Sequence, residues 1–252
     1  MHKQYGRKYW NNVCSKINKH HYRGNMHEYK KFSYIKGLSE LIDERKVKNV
    51  LITDLFNEAY DCNRLFHRYQ NIGKKTIGID VSDIIIKRIK RRYSKADVKC
   101  CDVRKLPFKD NHFDLIVSPS TLDHFPKKYL FDSLKEMKRV LKKNGKLIVT
   151  LNNKKNIWLT FPLLNLLKIN PYNYYTYSVS EVKKMLPNKL NVKKTRPICH
   201  LPFPLITSHF MNFLNKFKIK KHIYEHIEKP SDYRFGYYTA DLLMFLLKKE
   251  DS

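Results

Sequence analysis

Acids stand at three places where a folded chain would have to account for them. Asp54, Asp80 and Asp102 each follow an apolar run, "NVLIT", "TIGI" and "DVKCC". A charge at the end of a buried strand needs a partner or a ligand, because desolvating it alone is costly. Asp80 has the type and the place to accept hydrogen bonds from the two hydroxyls of a ribose, as the acid closing the second strand does in dinucleotide folds. The competing role, capping the next helix, is already filled by Ser82. Farther along, "SPSTLDHF" sets Asp123 and His124 just beyond a fourth apolar run. A carboxylate and an imidazole there could take a proton from a hydroxyl or phenol. His200, after a later apolar run, is a further candidate of that kind.

The elements that must position these residues follow from periodicity. Runs suited to buried parallel strands fall at 49–54, 76–80, 97–101, 113–118 and 146–151, with helical segments between them. One helix is predicted to start after the cap Ser82, and another, "KYLFDSLKEMKRVLKKNG", to end with Gly145 in a left-handed conformation. "NVKKTRPIC" reads as a sixth strand and "YYTADLLMFLLKK" as the one that closes the sheet. The alternation predicts an α/β chain with a doubly wound sheet of seven strands, which takes its ligand at the carboxyl ends of the strands. Residues 1–48 read as a helical extension in which Tyr29, Phe32, Ile35, Leu38 and Leu41, at three-residue steps, form one apolar stripe. Residues 49–252 then make one domain with insertions at about 153–179 and 201–230.

Composition narrows the partners. The formal charge of +28 and pI near 9.8 suit nucleic acid or an anionic membrane surface, but lysine is spread along the whole chain and points first to a generically basic surface. Five cysteines without a CxxC pair imply reduced thiols and a cytoplasmic setting, with neither a disulfide framework nor a zinc site. The N-terminus is too polar for a signal peptide. The most apolar run, 157–169, is shorter than a membrane-spanning helix and is interrupted by Pro162.

In order, "TIGIDVS", "CCDVRKLPFKDNHFDLIVSPSTLDHFP" and "EMKRVLKKNGKLIVTLNN" resemble the class I S-adenosylmethionine-dependent methyltransferases, in particular the small-molecule branch with the ubiquinone and menaquinone enzymes. The resemblance covers residues 49–152 and implies a Rossmann-like methyltransferase fold with S-adenosylmethionine as cofactor. It further implies that Asp80 binds the ribose hydroxyls, Val81 packs on adenine, and Asp102 accepts from the adenine amino group while Val103 offers its backbone amide. Ser118 and Pro119 would line the pocket beside the sulfonium.

The chain departs from that family at the first motif, where a glycine-rich turn is replaced by "TDLFNEA". Because the cofactor carries an ammonium, Asp54, Asn57 and Glu58 could hold it by charge-assisted hydrogen bonds in place of close backbone approach. A fold that has lost its cofactor is the alternative. Methyltransferases acting on base amines often close the fourth strand with [DN]PP[YF], and "SPST" lacks the acceptor for the amine. The expected reaction is therefore methylation of oxygen or carbon on a small, amphipathic or aromatic acceptor, with Asp123 or His124 as base. The run 157–169 would form a lid over that acceptor, and the aromatic, basic stretch 201–230 a second cover that could touch an anionic membrane. An RNA methyltransferase using the basic surface, and a non-catalytic protein of the same fold, are the other readings.

Overall fold

A computed structural model describes residues 6–17, 25–60, 64–157, 175–200 and 220–250. The strands are β1 (Asn49–Thr53), β2 (Lys75–Asp80), β3 (Val98–Cys100), β4 (Phe113–Ser118), β5 (Leu141–Asn153), β6 (Thr176–Tyr177), β7 (Leu190–Ile198) and β8 (Leu242–Lys249). Seven of them lie in the order β3-β2-β1-β4-β5-β8-β7, and the two-residue β6 pairs with β5. Strands β1 to β5 are parallel, whereas β8 runs antiparallel between β5 and β7. The order turns back at β1 and β4, so a crevice opens beyond their carboxyl ends.

Both faces of the sheet are covered, which is why its central strands read as continuous apolar runs. Val50, Ile52, Leu115 and Val117 point into a core shared with α2 (Asn25–Leu41), α4 (Leu65–Asn71) and α5 (Asp83–Arg92). Leu51, Ile116, Leu147 and Val149 alternate with them and meet α6 (Lys127–Val140) on the other face. Glycine is placed where these layers come closest. At Gly78 in β2 a Cβ would lie 2.9 Å from Leu55 and 3.0 Å from Phe66, so the loop after β1 and the start of α4 both seat on a strand position that admits no side chain.

Several expected boundaries shift. α6 stops at Val140, because Leu141 is already extended and paired with Phe113. The left-handed residue that follows is Asn144 (φ 59°), not Gly145. β5 is accordingly longer than expected and β3 shorter. The apolar stripe on α2 is not one stripe. Each three-residue step turns a helix by about 300°, so the series drifts around the axis: Tyr29, Leu38 and Leu41 are buried, Phe32 and Ile35 only in part, and Ser33 and Tyr34 are buried instead. The four cysteines among the described residues are free thiols, and those residues contain no cluster of metal-ligating side chains and no helix long and apolar enough to cross a membrane. The expected lid, 157–169, lies outside the described residues except for Ile157, as does 201–219 of the second cover.

Candidate active site

Asp54, Asp80 and Asp102 stand where β1, β2 and β3 end. Asp54 occupies the left-handed region (φ 68°), the backbone state for which a turn at this point would ordinarily use glycine. Aspartate is among the few other residues that tolerate it. This conformation turns the chain so that the Leu55 N–H donates to Asp80 Oδ2 at 3.0 Å and the Phe56 N–H donates to Asp54 Oδ1 at 2.9 Å. The Ser82 N–H holds Asp80 Oδ1 at 2.8 Å, while the Ser82 hydroxyl caps α5 at the Ile85 N–H. The glycine-free loop is thus tied to the second strand's acid by its own backbone.

The two acids sit in a poorly solvated notch. Burial pushes Asp80 up to about 6 against the pull of its backbone donors, and pushes Asp54 well above the usual carboxylate range, with the Asp80 charge adding to the rise. Thr53, the residue before Asp54, lies 3.1 Å by its hydroxyl from the hydroxyl of Thr121, two residues before Asp123, which sets the second group of candidates beside the first.

That second group is held from several sides. Leu122–His124 forms a 3-10 turn after β4. The Tyr175 N–H donates to the Asp123 carbonyl at 2.6 Å, and Asn152 Nδ2 donates to Asp123 Oδ2 at 2.5 Å. The other oxygen, Oδ1, is buried without a hydrogen-bond partner. Burial raises Asp123 to about 7, and pushes the neighbouring His124 imidazole down to about 4. Below them runs a floor of hydroxyls. Thr53 Oγ1 donates to Ser118 Oγ at 2.9 Å, and the Tyr34 hydroxyl lies 2.8 Å from both Ser120 Oγ and Thr150 Oγ1.

The remaining candidates divide. Val103 is buried and Val81 is part-buried, at the ends of β3 and β2. Asp102 lies at the same edge with its carboxylate taken up by Arg104, at 2.5 Å, and by the Arg104 N–H. Asn57 is part-buried in the short helix α3 (Phe56–Ala59). Glu58 points away from the notch: its carboxylate accepts from the N–H groups of Phe66 and His67 and so caps the entry to α4. His200 is buried at the end of β7 between Ser231 and Thr239, at 2.8 and 2.9 Å, a tie between strand and C-terminal segment.

Residues 1–48 were expected to be helical, but sequence reasoning missed that their first helix lies at the crevice. α1 (Arg7–Lys16) lies along α5, with Asn11 donating to Asp83 and accepting from the Ser82 hydroxyl at 2.7 Å. Cys14 is buried beside Ser82, and the Trp10 ring meets His124 edge-on at 4.8 Å. One helix therefore spans from Ser82 and Asp83, just past Asp80, to His124. Tyr34, Thr150 and Asn152 were missed as well. Of these only Asn152 left a sequence signal, an amide in the last positions of an otherwise apolar strand.

The strand order places the crevice, and the acids at its edge give it the capacity to hold a ligand with hydroxyls or positive charge. The methyltransferase-domain family matches residues 62–149, from just past the glycine-free loop to the middle of β5. The chain thus carries a methyltransferase-domain match over about a third of its length and has the fold of the class I methyltransferases. It is 35% identical over 133 residues to an uncharacterised protein of Methanocaldococcus jannaschii, half of this chain and 56% of that one. It is 33% identical over 116 residues to the ubiquinone/menaquinone biosynthesis C-methyltransferase of Azotobacter vinelandii, 44% of each chain. The chain spans about half the length of the curated relatives it matches. Among solved structures, magnesium protoporphyrin IX methyltransferase from Synechocystis, with bound S-adenosylhomocysteine, superposes over 97% of this chain and 98% of its own, with a TM-score of 0.63 at 12% identity. The residues present fit S-adenosylmethionine, the cofactor of methyltransferases with this fold. Its ribose diol, ammonium and sulfonium are the groups that two desolvated carboxylates, one at each of two strand ends, would hold and neutralise.

Proposed function

We propose that the protein transfers a methyl group from S-adenosylmethionine to an oxygen or carbon of a small, amphipathic or aromatic acceptor, with Asp123 as the base. The observation that carries this reading is the unpartnered, buried Oδ1 of Asp123, on the crevice shared with Asp54 and Asp80. When bound, the cofactor supplies an electrophilic methyl. Asp80 would hold the ribose hydroxyls and Asp54 the ammonium. Asn152 fixes one Asp123 oxygen and leaves the other free to accept from an acceptor O–H. A base is most effective when its pKa lies near the working pH. Asp123 at about 7 meets that condition, and His124 at about 4 does not. His124 instead packs on Trp10 and helps to keep water from the reacting atoms. The ubiquinone/menaquinone C-methyltransferase name of one relative supports an apolar acceptor.

The test is a two-part measurement on purified protein. Calorimetry gives cofactor affinity, and release of S-adenosylhomocysteine across a panel of phenols and hydroxylated amphiphiles gives turnover. Asp123→Asn should keep the affinity and lose about 10²–10⁴-fold in kcat, the range for a removed general base. Unchanged turnover in that variant would assign the proton transfer to another group, and an absence of cofactor binding in the wild type would remove the proposal.

A further inference from the structure

At the edge of the sheet beyond β7, three aromatic rings stand in solvent on a well-tied loop. Tyr233, Phe235 and Tyr238 are 59%, 55% and 48% exposed. Tyr233 and Phe235 stack on each other at 5.7 Å with planes 11° apart. The loop that carries them is fixed from within. Asp232 pairs with the buried Arg196 at 3.1 Å, Ser231 Oγ meets His200 Nε2 at 2.8 Å, and the Tyr233 N–H donates to the Pro230 carbonyl. At Gly236 a Cβ would come within 2.0 Å of the Pro230 oxygen, so only glycine permits this fold-back. A soluble protein gains by burying such rings, and holding three of them outward marks a surface that meets something else.

The charges around the rings say what. Lys229 and Arg234 are exposed, and Lys155 Nζ lies 5.4 Å over the Tyr238 ring. The acids of the same stretch are engaged within the fold: Asp232 by Arg196, which also pairs with Glu40, Glu225 by Lys221 and His222, and Glu228 by burial against Tyr29 and Cys199. A cavity of about 360 Å³ opens beside the stacked pair, with Ile227, Pro230 and Thr239 in its lining.

We propose that this face docks on an anionic lipid bilayer, with the rings at the headgroup boundary and Lys155, Lys229 and Arg234 on the phosphates. Tyrosine suits that boundary because its ring is apolar and its hydroxyl stays hydrated, and each cation near an anionic surface adds attraction. The cavity gives an acyl chain a place to enter. A nucleic acid is the poorer match, since Tyr233 and Phe235 are closed upon each other and admit no base between them. An acceptor partitioned into the membrane would then be drawn from the side on which the protein sits.

The test is sedimentation of the full chain with vesicles at about physiological salt, one set of phosphatidylcholine and one with about a quarter phosphatidylglycerol. The wild type should bind the anionic vesicles and bind the neutral ones far less. Tyr233→Ser/Phe235→Ser/Tyr238→Ser should lower binding by about tenfold or more, as expected when interfacial apolar area is removed, while thermal melting stays at the wild-type value. Lys229→Glu/Arg234→Glu, which leaves the rings in place, should lower it as well and keeps the test decisive if the triple variant folds poorly. No binding by the wild type, or equal binding by wild type and ring variant, overturns the proposal. So does transfer RNA binding that depends on the same three rings when vesicle binding does not.

Discussion

Asp123, proposed as the base, is also a residue whose burial costs stability. Its carboxyl titrates at about 7 in the fold against an ordinary 3.8, so between those values the folded chain keeps a proton that the unfolded chain has released. Stability therefore falls as pH rises through that window. Asp123→Asn should melt higher than the wild type at pH 8, by about 2–4 °C if roughly 1 kcal/mol is recovered, with the difference vanishing toward pH 4. Turnover of the wild type should rise with pH through about 7, since the carboxylate is the active form. Scanning calorimetry beside a pH–rate profile checks both. A second contrast separates the acids of the first loop. Asp54→Asn and Asp80→Ala should each weaken cofactor binding by about 1.5–3 kcal/mol, the range for a hydrogen bond to a charged group. Glu58→Ala should leave affinity nearly unchanged and lower stability by about 1–2 kcal/mol, because two N–H groups at the start of α4 lose their acceptor. The strand-end placement of Asp54 and Asp80 was legible because each closes an apolar run. The capping done by Glu58 was not, since it depends on where α4 begins in space.

At the scale of elements, the glycine-free loop shows how a backbone shape can outlast its usual sequence. Asp54 supplies the left-handed turn, Leu55 fills the space above Gly78, and the Leu55 N–H reaches Asp80. The pattern of types around β1 and β2 foretold an acid loop, but the compensation by Gly78 becomes visible only once α4 and β2 are packed. α1 was illegible for a related reason. Its face toward the crevice is Trp10, Asn11 and Cys14, a mixture that periodicity cannot distinguish from a solvated helix. Its position makes a kinetic prediction. If the cofactor binds beneath α1, it should leave only after Asn11 has parted from Ser82 and Asp83 and Trp10 from His124. Trp10→Ala/Asn11→Ala removes those ties, so the dissociation rate of S-adenosylmethionine should rise by about 5–30-fold if they are worth roughly 1–2 kcal/mol. Stopped-flow displacement by S-adenosylhomocysteine reads that rate, and an unchanged value would show that α1 does not gate the crevice.

At the scale of the whole molecule, five parallel strands could be placed from their apolar runs because burial on both faces leaves that mark. The antiparallel insertion of β8 between β5 and β7 could not, since direction and neighbours are set by pairing such as Ile148 with Leu246 and Thr195 with Phe245, not by composition. Charge is the property that sequence gives in full and structure must interpret. Many of the acids are committed to local pairs, as with Asp102 and Arg104, Asp114 and Lys142, and Glu136 and Arg139, which leaves a large positive excess spread over the surface. A diffuse excess of this kind binds polyanions by releasing their counterions, and such affinity falls steeply as salt rises. Transfer RNA should accordingly bind at low salt and lose about 10³-fold or more between 50 and 200 mM salt if six or more phosphates are neutralised. Fluorescence anisotropy across that range measures the slope. A tight complex that survives physiological salt would require a built RNA site, and would move the acceptor from a small molecule to a nucleotide.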